Sequence, residues 1–204
     1  MPVSPLCCPA HPASVMSTRP NAMRLCLLVF ALLLVGCNPG TRAMKNAFVQ
    51  ASSEFNPTPM VAQVDYDPRS KTAVIDVQDV DGNTSMRNVF VVLTSFAGAA
   101  SNTEYAPDAI RFEFRGEPRF VLTKSGVDLL AQARYHTRID RTSYPGIVRL
   151  IQDFPQYLNR PDGSRAFPSY TGGWLGTMAA NLENSNRFHR EWYLNDLAYS
   201  SLPE

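Results

Sequence analysis

The sequence predicts an α+β fold, in which an antiparallel sheet of about five strands is followed by helices that pack on it. Three observations support this prediction. Apolar and polar residues alternate in short segments between residues 60 and 123, which is typical of half-buried strands. Apolar residues recur every three or four positions after residue 125, as in amphipathic helices. Short turns between the strand segments favour hairpins or a meander. Strands first and helices afterwards indicate one sheet with helices on a face.

A helix is predicted before the first strand. Its apolar stripe over residues 43–55 comprises Met44, Ala47, Phe48, Ala51 and Phe55. Pro57 follows closely, and the residue before a proline avoids helical backbone angles. Such a stripe can dock on a domain or lie along a membrane, and the scarcity of nearby basic residues favours docking.

Five segments are predicted as strands, at residues 60–67, 72–80, 86–94, 110–114 and 119–123. The third contains the continuous apolar run 89–93, which indicates burial on both faces and therefore a central strand. In the segment 110–114, Ile110, Phe112 and Phe114 alternate with charged residues, so these three should face the core. The connection 115–118 is expected to be a turn.

Helices are predicted for the second half of the chain. Ser125 and Asp128 resemble a capping box that opens a helix through about Tyr135. Further helical stripes occupy residues 147–154, 174–182 and 186–199, and a loop is expected at 159–173. The stripe over 174–182 consists of Trp174, Leu175, Met178, Ala179 and Leu182.

The charge of the chain is nearly balanced, with 19 basic and 18 acidic side chains. Only Arg19 and Arg24 precede Cys37, so 17 basic and 18 acidic groups lie from there onward. This balance provides no general electrostatic reason to bind nucleic acid, and no nucleic-acid partner is expected. The segment 111–149 is locally basic. It fits a solvated face, with an anionic partner or a membrane surface as the alternatives.

Residues 25–35 form an apolar run of eleven residues directly after Arg24. Because a membrane-spanning helix needs about 20 apolar residues, the run is too short to span a bilayer. It fits the hydrophobic region of a secretory signal peptide. The Pro- and Ser-rich residues 1–22 fit poorly before such a signal, and Met16 or Met23 is a better start than Met1.

The residues Leu34-Val35-Gly36-Cys37 at the end of this run resemble the lipobox of bacterial lipoproteins. The resemblance implies that residues 23–36 are removed and that Cys37 receives a diacylglycerol thioether, with acylation of its new amine. Two or more acyl chains anchor a protein stably, whereas one does so only marginally. Asn38 follows in place of an aspartate, which favours the outer membrane over the inner one.

The expected organisation has four parts. Residues 1–22 are either an extension or a segment before the true start codon, and 23–36 are a signal peptide. Residues 37–59 are a lipid anchor and tether with a short helix, and 60–204 are a single α+β domain. The other cysteines, Cys7, Cys8 and Cys26, precede the cleavage point. The mature chain therefore lacks the thiols for an internal disulfide, a thiolate zinc site or a thiol nucleophile.

No catalytic residue, metal site or cofactor is predicted. His136 has Asp140 four residues on, which could orient an imidazole base, but no nucleophile is placed beside it. His189 is interpreted as a surface or partly packed histidine. The segment Asp79–Asn83 resembles the start of a calcium loop, but position 90 is phenylalanine where such a loop needs a bidentate glutamate.

The loop 167–176 is the most suggestive candidate for partner contact. It contains Phe167, Tyr170 and Trp174 around two glycines, and large aromatics are enriched in binding hot spots. Arg115 and Arg119 of the basic segment complete the predicted contact set. The alternative is that the aromatics cover the edge of the core.

These observations favour a lipid-anchored, non-catalytic binding or assembly module of the bacterial envelope. The membrane would be bound through lipidated Cys37, and an envelope protein would be the partner. An inhibitor or immunity lipoprotein directed against a toxin or lytic enzyme is the first alternative. An envelope hydrolase without a recognisable motif is the second.

Overall fold

The computed structural model describes residues 38–53, 55, 58–139, 150, 152–168 and 173–200, with the backbone alone described for 134–139, 174 and 199–200. The lipobox residues, Cys37 and Tyr170 lie outside this range. The compact unit that contains the described residues begins at Asn38, whereas the sequence placed the start of the globular domain at residue 60.

The predicted α+β fold is confirmed, with strands concentrated in the first half of the described chain and helices after them. The elements are α1 (Pro39–Ser52), β1 (Met60–Asp67), β2 (Thr72–Val80), α2 (Met86–Ala100), β3 (Ala109–Phe114), β4 (Glu117–Leu122), α3 (Lys124–Ile139), a 3-10 helix (Phe154–Tyr157), β5 (Leu158–Asn159), α4 (Trp174–His189), a π-helical turn (Arg190–Leu194) and α5 (Asn195–Ser200). The five strands form one sheet in the order β1-β2-β3-β4-β5.

The sheet is mixed, which corrects the purely antiparallel arrangement that the sequence predicted. The pairs β1–β2, β3–β4 and β4–β5 are antiparallel, but β2 and β3 are parallel. Parallel neighbours cannot be joined by a tight turn and need a crossover of about a dozen residues or more. Helix α2 lies in the connection between β2 and β3.

The prediction of a central strand at residues 86–94 is wrong, because these residues form most of α2. Ser85 caps the helix through its Oγ, which accepts a hydrogen bond from the Asn88 amide at 3.2 Å. Val89, Phe90, Leu93 and Phe96 are all buried. A short apolar run buried on most sides has the same pattern in a strand and in a helix. The length of the buried segment, which extends to Ala100, distinguishes them.

The core covers one face of the sheet. Val64 pairs with Ile75, Ile75 with Phe112, and Phe112 with Phe120, and paired residues share a face. All four are buried. The Phe112 ring packs against Phe188 at 5.4 Å and against Trp192 at 4.7 Å between centroids, so the C-terminal helical segment covers this face.

Helix α1 is part of this core and is not a loose tether. Met44 and Ala51 are at most 1 % exposed, and Phe48 packs edge-on against Phe96 of α2 at 6.1 Å. Asn38 caps the helix, since its Oδ1 accepts a hydrogen bond from the Gly40 amide at 2.9 Å. Its Nδ2 donates to the carbonyl of Tyr66 at 2.8 Å, which fixes the first turn of α1 to the end of β1.

The remaining helical predictions agree with the structure to different extents. The helix predicted from Ser125 is α3, which begins one residue earlier. Of the stripe at 147–154, only part lies in the described range, where Phe154 starts the 3-10 helix. The stripes at 174–182 and 186–199 are helical and form one nearly continuous segment. Within the described chain, none of the helices has the length and apolar character that crossing a bilayer requires.

Candidate functional site

Arg115 lies at the two-residue turn between β3 and β4. Its φ is 51° and that of Gly116 is 83°, the backbone conformation that tight hairpin turns need at both central residues. The Arg115 Nε donates to the carbonyl of Gln78 at 3.3 Å, and the Gly116 amide donates to Asp76 Oδ1 at 2.9 Å. A turn is present where the sequence predicted one at 115–118, but it is shorter, since β4 already begins at Glu117. Arg115 is held exposed at one end of the sheet.

Arg119 connects β4 to the C-terminal helix. Its Nη2 lies 2.7 Å from Asp196 Oδ2 and 3.0 Å from Glu117 Oε2, and the side chain is 30 % exposed. Its Nε is buried and has no hydrogen-bond partner in the structure. Arg119 thus contributes to tertiary packing, with part of its guanidinium still reaching solvent.

Phe167 belongs to the core and not to an exposed contact patch. It is 2 % exposed and stacks on Phe120, with 5.6 Å between the ring centroids. Arg187 lies over the Phe167 ring at 5.3 Å, and Arg160 over the Phe120 ring at 4.9 Å. For this residue the structure agrees with the alternative interpretation of the loop, in which an aromatic side chain covers the core edge.

The carboxylate of Glu191 forms ion pairs with both Arg160 and Arg187. Glu191 contacts Arg160 at 2.5 Å and Arg187 at 3.1 Å. We call these five residues the arginine–phenylalanine cluster: Phe120, Arg160, Phe167, Arg187 and Glu191. Because two guanidiniums share one carboxylate and are 35 % and 38 % exposed, the cluster presents a net positive charge over a buried aromatic pair. None of Arg160, Arg187 and Glu191 was singled out from the sequence; Arg187 and Glu191 are one helical turn apart, but Arg160 lies about 30 residues before them.

His189 is fully buried, whereas the sequence favoured a surface or partly packed position. Its side chain is 1 % exposed, and its Nδ1 lies 2.9 Å from the Tyr193 hydroxyl. The rings of Phe90 and Phe188 pack edge-on against it at 5.2 and 5.1 Å. Its Nε2 is buried and has no hydrogen-bond partner among the residues that the structure describes. Burial lowers the pKa of His189 to about 3, so the ring is neutral, and burial raises the pKa of Tyr193.

This geometry determines what His189 can do. A general base must reach the proton of a substrate through a hydrogen bond or one water. The imidazole of His189 is surrounded by aromatic rings, so its role here is packing within the core. For His136 only the backbone within α3 is described.

The apolar stripe at the start of α4 is exposed, which the pattern alone did not predict. Leu175, Met178 and Leu182 are 63 %, 40 % and 48 % exposed. Ser185 and His189, seven residues after Met178 and Leu182, lie on the same side of the helix, and both are buried. The core therefore covers this side of α4 in its second half and leaves it uncovered in its first half.

The structure distributes the predicted contact residues rather than gathering them. Phe167 is in the core, Arg119 contacts α5, and Arg115 is at the β3–β4 turn. Trp174 opens α4, next to the exposed stripe, but its side chain is outside the described range. The sequence predicts that this stripe is helical. It does not predict that the stripe is exposed, because the spacing that indicates an apolar face does not tell whether that face is covered.

Comparison with known proteins provides no further constraint: no protein-family model, curated protein or solved structure matches this chain. Among the side chains that the structure describes, no three His, Cys, Asp or Glu residues form a group that could hold a metal ion.

Proposed function

We propose that this chain is a lipid-anchored, non-catalytic binding or assembly module of the bacterial cell envelope. The resemblance of Leu34–Cys37 to a lipobox supports the anchor, because the apolar run before it has the length of a signal peptide. The observation that carries the binding role is the exposed stripe of Leu175, Met178 and Leu182. Contiguous exposed apolar patches are typical of interaction sites, and these three side chains lie along one side of one helix.

The partner that fits the stripe is an amphipathic helix of another envelope protein. Leu175, Met178 and Leu182 follow the spacing i, i+3, i+7, which forms the seam between two packed helices. Gly176 and Ala179 lie among them, and small residues allow close approach of a second helix. The stripe lies at one side of a helix whose second half is anchored by Phe188 in the core.

Cys37→Ala tests the anchor. The variant is expected to fold, because Cys37 precedes the first residue of the compact unit, but to move from the membrane fraction to the soluble fraction of the cell. Fractionation with detection of the chain measures this. If Cys37→Ala remains as firmly in the membrane fraction as the natural chain although its apolar leader has been removed, as the mass of the chain shows, the anchor is not the lipid of Cys37.

Site-specific photo-crosslinking in native membranes tests the partner. A photoreactive amino acid at Met178 is expected to crosslink to an apolar helical segment of another envelope protein. The same amino acid at Asn83, an exposed loop residue, should give no such product. The triple variant Leu175→Gln, Met178→Gln, Leu182→Gln should abolish association while the unfolding midpoint stays unchanged, because these side chains are exposed.

Other crosslinked products would contradict this assignment. A product with lipid alone would make the stripe a membrane contact. A product with a second copy would make it a homodimer interface. A product within the same chain would make it an internal packing surface.

A further inference from the structure

We infer that the folded domain sits directly on the bilayer in one fixed orientation, with the end of the sheet that carries Asn38 and the β1–β2 turn facing the lipid headgroups. This inference rests on the proposed lipidation of Cys37 and adds the contact surface and orientation that the lipobox alone does not specify.

No tether remains between Cys37 and the folded unit. Asn38 is held by two hydrogen bonds, one to the Gly40 amide and one to the Tyr66 carbonyl. Consecutive Cα atoms are about 3.8 Å apart, so the lipidated residue is one peptide unit from a fixed point on the domain. A flexible tether over the 23 residues 37–59 would instead allow a root-mean-square span of about 26 Å.

The residues around Asn38 define which end of the domain is proximal. Tyr66 is the penultimate residue of β1, and the turn 68–71 follows directly. The loop before β3 joins the same end, since the Asp108 amide donates to the Lys71 carbonyl at 2.8 Å. The Tyr105 ring packs on Tyr66 at 6.1 Å, and Leu122 at the end of β4 pairs with Ile110 near the start of β3. The proximal end thus consists of residues 38–42, 65–71, 104–108 and 122–124.

The opposite end of the sheet carries the loop after β2 and the β3–β4 turn. Met60, at the start of β1, pairs with Val80 at the end of β2. The nine residues of β2 rise about 3.3 Å each, so the loop 81–85 is separated from the turn 68–71 by about 26 to 30 Å. Arg115, whose amide donates to the Val77 carbonyl, also points to this distal end and is presented away from the membrane.

Electrostatic attraction is not what orients the domain. The basic residues of the proximal end are Arg42, Arg69, Lys71 and Lys124, and the acidic ones are Asp65, Asp67, Glu104 and Asp108. Four charges of each sign give no net attraction to anionic lipid. The orientation therefore follows from the anchor and from the rigid cap at Asn38, and it should not depend on the anionic lipid content.

The experiment measures the distance of two positions from the membrane surface. The full-length lipidated protein is reconstituted into vesicles of zwitterionic and anionic phospholipid, with a nitroxide on a fraction of the headgroups. Arg69→Cys or Asn83→Cys carries a fluorophore; both positions are exposed. The introduced cysteine is the only reactive thiol, because Cys7, Cys8 and Cys26 precede the proposed cleavage point and the Cys37 sulfur is a thioether.

The label at position 69 should lose most of its fluorescence to the nitroxide, and the label at 83 should keep most of it. Inserting a flexible linker of 20 Gly and Ser residues between Cys37 and Asn38, with a span of about 25 Å, should remove the difference between the two positions. Equal quenching at 69 and 83 without the linker, in protein that floats with the vesicles, would overturn the fixed orientation while leaving the anchor intact. Protein that does not float would overturn the anchor itself and this inference with it.

Discussion

The imidazole of His189 is neutral in the fold, with Nδ1 engaged by the Tyr193 hydroxyl and Nε2 buried without a partner. Charging this ring inside the aromatic core would require transferring a cation into a medium that solvates it poorly. In the unfolded chain the ring has the ordinary histidine pKa of about 6.5. The unfolded state therefore binds a proton at a pH where the folded state does not.

This difference predicts that acid destabilises the protein. Stability is unaffected by His189 above pH of about 6.5 and falls as the pH drops below it, by about 1.4 kcal/mol per pH unit, until the folded-state pKa of about 3 is reached. Between pH 7 and pH 5 the free energy of unfolding should fall by about 2 kcal/mol from this residue. Urea denaturation at the two pH values measures the change.

The double variant His189→Phe, Tyr193→Phe isolates the effect. It removes both partners of the hydrogen bond together, which avoids leaving one buried and unsatisfied. The drop in stability from pH 7 to pH 5 should shrink in this variant and persist in Tyr193→Phe, which keeps the histidine. An undiminished drop in the double variant would mean that other groups cause the acid sensitivity.

At the scale of the element, the docking of α1 against β1 depends on a close contact at Gly40. A Cβ at this position would lie 2.3 Å from Cδ1 of Tyr66, and Tyr66 is only 6 % exposed. The ring cannot move away without disturbing the core below it. Gly40 is therefore required for the close approach of helix and strand, and not for an unusual backbone angle.

Gly40→Ala is expected to destabilise the fold by about 1–3 kcal/mol, the usual cost of overpacking, although alanine is otherwise the better helix former. Gly82→Ala is the matched control, since nothing lies within 4 Å of the position its Cβ would take. Thermal or urea unfolding of both variants measures the effect. Equal stability of the two variants would show that α1 does not depend on this contact.

Helices α2 and α4 show how far an apolar pattern determines an element. In α2 the run 89–93 correctly indicated burial but not the type of structure, since a buried strand and a buried helix both lack a polar face. In α4 the pattern correctly indicated a helix but not its environment. Leu175 and Met178 have helical spacing whether a core covers them or not.

At the scale of the whole molecule, the mixed sheet follows from α2. Since β2 and β3 are joined by a helix, they run parallel and place the β1–β2 turn and the β3–β4 turn at opposite ends of the sheet. Because Asn38 is hydrogen-bonded to Tyr66, the end with the β1–β2 turn lies beside the start of the folded unit. The opposite end, with the β3–β4 turn, carries Arg115. The topology thereby gives the domain the two distinct ends on which the proposed orientation rests.

The candidate sites differ in whether the sequence alone or only the fold reveals them. A lipobox is a contiguous motif, so the sequence is sufficient to propose it. The arginine–phenylalanine cluster joins Phe120 on a strand, Arg160 and Phe167 in a loop and Glu191 in a π-helical turn. Nothing in the local sequence relates these residues, and only folding brings their side chains together.

The sequence by itself determined the features that depend on neighbouring residues: the strands at 60–67, 72–80 and 110–114, a turn directly after Phe114, a helix over most of 43–55, the helical character of 174–182 and 186–199, and the α+β class that results. The tertiary structure decided the helical state of 86–94, the parallel pairing of β2 with β3, the burial of His189 and the exposure of Leu175, Met178 and Leu182. Alternation and turn residues act over a few positions, whereas these four outcomes depend on which distant segments cover a given face.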